Sequence, residues 1–111
     1  MTAILEELNI LVIEDNPGDF VLVQEYLLEE IDQPDIEHSQ TLADTEDYLE
    51  KKGHFDAILL DLTLPDASGE SLVKRIAELS GQTPVIVLTG YENEEFGLET
   101  LSMGIADYLL K

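Results

Sequence analysis

Residues 57–69 read Ala57-Ile58-Leu59-Leu60-Asp61-Leu62-Thr63-Leu64-Pro65-Asp66-Ala67-Ser68-Gly69. The unbroken apolar run predicts a strand covered on both faces, as in a parallel sheet, because a half-exposed strand would alternate apolar and polar positions. Pro65 and Gly69 are loop formers with a complete structural reading of their own. Asp61 therefore stands where a buried strand gives way to a loop, and in open α/β sheets that carboxyl edge is where ligands bind. Beyond it, Ser68 is placed to cap a helix whose buried stripe is Leu72, Val73, Ile76, Ala77 and Leu79, with Gly81 and Pro84 as its stop.

The same alternation extends in both directions. Ile10-Leu11-Val12-Ile13 forms a strand ending in Glu14-Asp15, and Asn16 then caps a helix with Pro17 in its first turn and Asp19 at its positive end. Phe20, Val21, Val23, Leu27, Leu28 and Ile31 supply that helix's apolar positions before Pro34 breaks it. A short strand is expected around Ile36–Ser39, then a helix over Leu42–Lys52 ended by Gly53. The strand of the opening stretch runs from Asp56 to Asp61. Val85-Ile86-Val87-Leu88 leads to Thr89-Gly90, and a helix over Glu92–Met103 follows, anchored by Phe96, Leu98 and Leu101 and ended by Gly104. Asp107-Tyr108-Leu109-Leu110 is the last strand, closing on Lys111. With no linker, low-complexity tract or internal duplication, this βα repeat and its right-handed crossovers predict one α/β domain over 1–111, a doubly wound five-stranded parallel sheet with helices on both faces.

The composition sets further bounds. The 111 residues suffice for one core and not two domains, and 44% apolar content can fill it. With 25 acidic against 5 basic residues the formal charge is -20, which opposes direct contact with nucleic acid or an anionic membrane and directs any onward action through protein partners. No apolar run approaches the roughly 20 residues of a membrane span, and the absence of cysteine removes disulfides, thiolate metal sites and cysteine nucleophiles. Most of the acidity is expected to be solvated helix surface.

The strand ends carry an acidic pair, an aspartate, a hydroxyl and an ammonium. Taken singly, each has a plain reading: Glu14-Asp15 as acids leading into a helix N-terminus, Thr89 as a strand-end hydroxyl, Lys111 as a solvated lysine, Tyr108 as a core aromatic. Brought together, Glu14, Asp15 and Asp61 would repel by about 4 kcal/mol per pair at about 4 Å and an effective dielectric of 20, so they need protons or a cation. An all-oxygen donor set suits Mg²⁺, with Mn²⁺ as a substitute. A carboxylate beside such an ion can attack a phosphoryl group, whose equatorial oxygens then need cations and donors around them. His38 and His54 are expected away from the strand ends, as surface or packing residues.

Glu14-Asp15, Asp61, Pro65, Gly69, Thr89, Tyr108 and Lys111, in this order, resemble the receiver domain of two-component response regulators over essentially the whole chain. The resemblance implies the flavodoxin-like strand order 2-1-3-4-5, Asp61 as phosphoacceptor, and Thr89 and Lys111 as groups around the phosphoryl oxygens. It also implies Mg²⁺ at Glu14, Asp15, Asp61 and the backbone carbonyl of Thr63, and a switch formed by Thr89 and Tyr108. The partners it implies are a sensor histidine kinase or phosphotransfer protein and a downstream protein or fused effector domain, and it places the protein in the cytoplasm; a homodimer is expected on a different ground, a sheet face that this sequence leaves uncovered. The Asn16-Pro17-Gly18-Asp19 segment is similar to stand-alone receivers that serve bacterial phytochromes and other sensor kinases.

Two rivals share parts of this pattern. Phosphatases of the haloacid dehalogenase type also use an aspartate nucleophile with Mg²⁺, but they need an acid two residues later, where this chain has Thr63. A pseudo-receiver would keep the fold without the chemistry, and no chemical group is missing here. One departure from the family is that receivers continue past their lysine into a fifth helix, absent from this sequence. The uncovered sheet face is then expected to expose apolar side chains worth about 1.5–3 kcal/mol each when buried, which favours self-association or low stability.

Overall fold

Five short apolar runs form the strands β1 (Asn9–Ile13), β2 (Asp35–Ser39), β3 (Ala57–Asp61), β4 (Val85–Thr89) and β5 (Asp107–Leu110), alternating with helices α1 (Pro17–Glu30), α2 (Leu42–Lys52), α3 (Gly69–Ser80) and α4 (Glu94–Thr100). The structure, a computed structural model, describes residues 8–52, 54–62, 64–90 and 94–110. Every adjacent pair is parallel and the order is β2-β1-β3-β4-β5, as expected for a sheet wound in both directions from β1.

Period-two alternation sends side chains to two cores. Leu11, Ile13, Ile58, Leu60, Val85 and Val87 meet Leu72, Val73 and Ile76 of α3, with Tyr48 and Leu49 of α2 and Phe96 of α4 packed against the same cluster. On the other face, Ile10, Val12, Leu59 and Leu88 meet Leu27 of α1, with Phe20, Val23, Ile31 and Ile36 around them. The central strands are thus buried on both sides, which is why their sequences lack polar interruptions.

The helix signals act largely as expected. Asn16 caps α1, its side-chain oxygen accepting from the N–H groups of Gly18 (2.8 Å) and Asp19 (3.1 Å), with Pro17 opening the helix. Gly81 ends α3 at φ +60°, a conformation that disfavours residues with a Cβ. Ser68 occupies the cap position of α3 in extended backbone, but its hydroxyl makes no capping bond. Gly53, the expected stop of α2, lies outside the described residues.

Three expectations change. Val21 and Leu28 are 46% and 55% exposed: Phe20, Val23 and Leu27 face the sheet, and Val21 and Leu28 lie on the next stripe round the helix. The helix expected over Glu92–Met103 is described as α4 followed by a 3₁₀ turn at Leu101–Met103, with Gly104 left-handed after it; residues 91–93 lie outside the described residues. Leu98 and Leu101 are exposed, leaving Phe96 as the packed anchor of α4.

The third change concerns the α1 face. A groove of about 520 Å³ runs between α1 and β5, lined by Leu22, Tyr26, Leu59, Ile86, Leu88 and Leu109 among others. Leu59 and Leu88 of the central strands are nevertheless only 7% and 6% exposed. Exposure falls instead on Leu22, Tyr26 and the edge-strand Leu109.

Candidate functional site

Strands β1 and β3 are neighbours in register, Ile13 opposite Leu60, so the residues that follow them come together at one end of the sheet. Glu14, Asp15 and Asp61 converge there: each offers a carboxylate oxygen, and the three lie within 4.8 Å of one another. Glu14 is buried, whereas Asp15 and Asp61 reach solvent. Hard oxygen donors at this spacing fit Mg²⁺ or Mn²⁺, which take carboxylates and keep several waters.

The acidic turn is held from both flanks. Glu14 N–H donates to the Ser39 carbonyl at 2.9 Å, and Asn16 N–H reaches Glu14 Oε2 at 3.3 Å. His38 Nε2 lies 2.6 Å from the Glu14 carbonyl oxygen, and its ring stacks on Phe20 with centroids 3.7 Å apart and planes 2° from parallel. His38 is therefore not remote from the strand ends: it sits one residue before the end of β2, on the α1 face. The signal available in the sequence was its alternation with Ile36, which sets the face but not a backbone partner. His54 is exposed and lies 3.5 Å from Asp56, away from the acids.

After Asp61 the chain is fastened to the core and to α2. Leu62 and Leu64 are buried, Leu64 N–H donates to the Ala67 carbonyl, and Gly69 N–H returns to the Leu62 carbonyl at 3.1 Å, with Gly69 at φ +64°. The Asp66 carboxylate caps α2, accepting from the N–H groups of Leu42 (2.8 Å) and Ala43 (3.1 Å). The Leu42 bond, opposed by desolvation and reinforced by the Ala43 bond, holds Asp66 below its ordinary value of 3.8. Sequence reading gave Asp66 no role, because a cap that reaches a helix 24 residues away has no local signature.

Thr89 ends β4 beside this cluster and is buried; its hydroxyl donates to the Gly90 carbonyl at 3.1 Å. Tyr108 lies on β5 opposite Val87 and is half-buried. Gly97 of α4 touches both: an added Cβ would lie 3.0 Å from Thr89 Cγ2 and 3.0 Å from Tyr108 Cδ2. Thr63 and Lys111 lie outside the described residues. Lys51, Lys74 and Arg75 pair with Asp47, Glu70 and Glu46 on α2 and α3.

Comparison with known proteins agrees with this geometry. The family model of the response regulator receiver domain matches residues 10–111. The transcriptional regulatory protein DltR of Streptococcus agalactiae serotype III (strain NEM316) is 35% identical over 107 residues, covering 94% of this chain and 45% of its own. The chain thus spans less than half the length of that relative. Among solved structures, the phosphorylated cyanobacterial phytochrome response regulator RcpA superposes with a TM-score of 0.80 at 26% identity, covering 95% of this chain and 81% of its own. The Mn²⁺-bound form of response regulator Rcp1 gives 0.78 at 27% identity, covering 93% and 80%. With the strand order, the acid cluster and the family match in agreement, the chain belongs to the response regulator receiver domain family of two-component signalling.

Proposed function

We propose that Asp61 accepts a phosphoryl group from the phosphohistidine of a sensor kinase or phosphotransfer protein. The observation that carries this reading is the convergence of Glu14, Asp15 and Asp61 within 4.8 Å at the carboxyl edge of β1 and β3. An Asp61 carboxylate oxygen attacks phosphorus, the donor's N–P bond breaks, and the donor imidazole takes up a proton from solvent. The product is an aspartyl phosphate, and attack by water on phosphorus resets it.

Glu14, Asp15, Asp61 and the Thr63 carbonyl would hold Mg²⁺, or Mn²⁺ in its place, which supplies positive charge opposite the phosphoryl oxygens when bound. Asp15 is the direct ligand in this reading and Glu14, buried behind it, acts through water. Lys111 supplies a second cation beside the phosphoryl oxygens, the role that the family resemblance gives it. The Thr89 hydroxyl, turned toward Gly90 in this structure, rotates to the phosphoryl oxygens, and Tyr108 follows into the space it leaves. The surface around α4 and β5 then changes for a downstream partner or fused effector domain.

The domain occupies 1–111 in this reading, and a fifth helix of a longer chain would pack in the groove beside α1; a second copy is the alternative cover. Its setting is the cytoplasm, and the charge of -20 keeps the domain itself off nucleic acid and membrane surfaces. The test is incubation with acetyl phosphate and Mg²⁺ followed by intact mass measurement. One added phosphoryl group is expected, absent from Asp61→Asn. Stoichiometric labelling of that variant would sink the assignment.

A further inference from the structure

We propose that His38 is a positioning residue for the acidic turn: its Nε2–H holds the Glu14 carbonyl and so fixes where Glu14 and Asp15 present their carboxylates. A carbonyl oxygen can only accept, so the 2.6 Å contact places the proton on Nε2. His38 stands opposite Val12 in the ladder, on the face that α1 covers, and Ser39 stands opposite Ile13. The end of β2 therefore takes both polar groups of the Glu14 backbone, its N–H through the Ser39 carbonyl and its C=O through His38.

The ring is itself held. Phe20 stacks flat against it, and Phe20 N–H donates to the Asn16 carbonyl at 3.0 Å. Asn16 N–H returns to Glu14 Oε2. Glu14, Asn16, Phe20 and His38 thus close a circuit around the turn that carries the acid pair. Without the donor, the Glu14 carbonyl loses its side-chain partner and the peptide joining Glu14 to Asp15 can rotate, moving the carboxylates. Small misplacements of ligand groups weaken ion binding even when every ligand remains.

The proposal rests on reading Glu14, Asp15 and Asp61 as the Mg²⁺ site, and two variants separate the donor from the ring. His38→Phe keeps the stack on Phe20 and loses the donor; His38→Gln keeps an N–H of similar reach and loses the ring. Mg²⁺ is titrated into the unphosphorylated chain and followed by amide chemical shifts, and hydrogen exchange at the Asn16 amide is measured without metal. His38→Phe is expected to raise the half-saturating Mg²⁺ concentration roughly three- to tenfold, the scale of one hydrogen bond, and to speed Asn16 exchange. His38→Gln should stay within about twofold of the parent in both. A folded His38→Phe that binds Mg²⁺ like the parent, or a His38→Gln weakened threefold or more, overturns the proposal, and the second result does so even if the Phe variant fails to fold. If the parent shows no saturable Mg²⁺ binding, the metal reading falls alone when Asn16 exchange follows the donor, and both fall when it does not.

Discussion

Replacing Gly97 by alanine sets two effects of known size against each other. In a helix interior the change should stabilise by about 0.5–1 kcal/mol, because glycine loses more backbone freedom on folding. The structure opposes this: the new Cβ would stand 3.0 Å from Thr89 Cγ2 and from Tyr108 Cδ2 and 3.4 Å from Tyr108 Cγ, inside the 3.5–4.0 Å optimum for carbon pairs. Overpacking of this kind costs about 1–3 kcal/mol. Thr89 is buried at the end of a central strand and cannot retreat, whereas Tyr108 is half-buried and can turn. A net loss of about 1 kcal/mol is expected, a fall in melting temperature of roughly 4–8 °C for a domain near this size. In a Tyr108→Ala background two of the three contacts vanish and α4 gains room to draw back from Thr89, so Gly97→Ala should become neutral or stabilising, a coupling of at least about 1 kcal/mol. Urea unfolding of the four proteins, followed by circular dichroism, measures the cycle. Stabilisation by Gly97→Ala of the full helix-propensity amount in both backgrounds would refute the claim that α4 is packed directly on Thr89 and Tyr108.

Asp15→Asn should weaken Mg²⁺ binding more than Glu14→Gln does, since a direct ligand loses more than one acting through water; titration calorimetry giving unchanged binding in the Asp15 variant would oppose the metal reading. Asp66 has a depressed folded pKa, so its stabilising contribution is full above the unfolded value near 3.8 and is lost as pH falls through the lower folded value. The melting difference between the parent and Asp66→Ala should accordingly be constant near neutrality and shrink below about pH 3.8, and a difference that shrinks already between pH 7 and 5 would contradict the assignment. Leu59→Ala should cost about 2–4 kcal/mol in urea unfolding and Leu109→Ala less than about 1, because Leu59 is 7% exposed and Leu109 47% although both line the groove; equal losses would mean that the edge strand is packed more tightly than the structure has it.

The sheet was legible because parallel strands covered on both faces have no polar positions to blur them. Ile10–Ile13, Ala57–Leu60 and Val85–Leu88 read as strands for that reason, and the polar residues closing them marked the edge where Glu14, Asp15 and Asp61 meet. Helix orientation was less legible. Phe20, Val21, Leu22, Val23, Tyr26, Leu27 and Leu28 put apolar groups around most of α1, so periodicity alone could not choose the stripe that faces the sheet. The change after Thr100 from α-helix to a 3₁₀ turn at Leu101–Met103 is one of hydrogen bonding, which the spacing of apolar residues does not register. His38 and Asp66 escaped because each bonds to backbone brought near only by the fold. Such partners leave no residue type in the sequence to recognise.

These two residues also divide the site into unequal halves. On the β1–β3 side, His38 and Ser39 hold the acidic turn, Asp66 fastens the loop after Asp61 to α2, and Leu62 and Leu64 anchor that loop in the core. On the β4–β5 side, Thr89 and Tyr108 share a wall with α4, a helix of 7 residues whose Leu98 faces solvent, with Leu101 exposed just beyond it. Local opening is cheapest where few apolar contacts are buried, so the change of charge proposed at Asp61 would meet resistance on the first side and compliance on the second. In the proposed switch the distribution of fastenings would direct the response toward α4 and β5, and a glycine at position 97 would leave Tyr108 the room to make it.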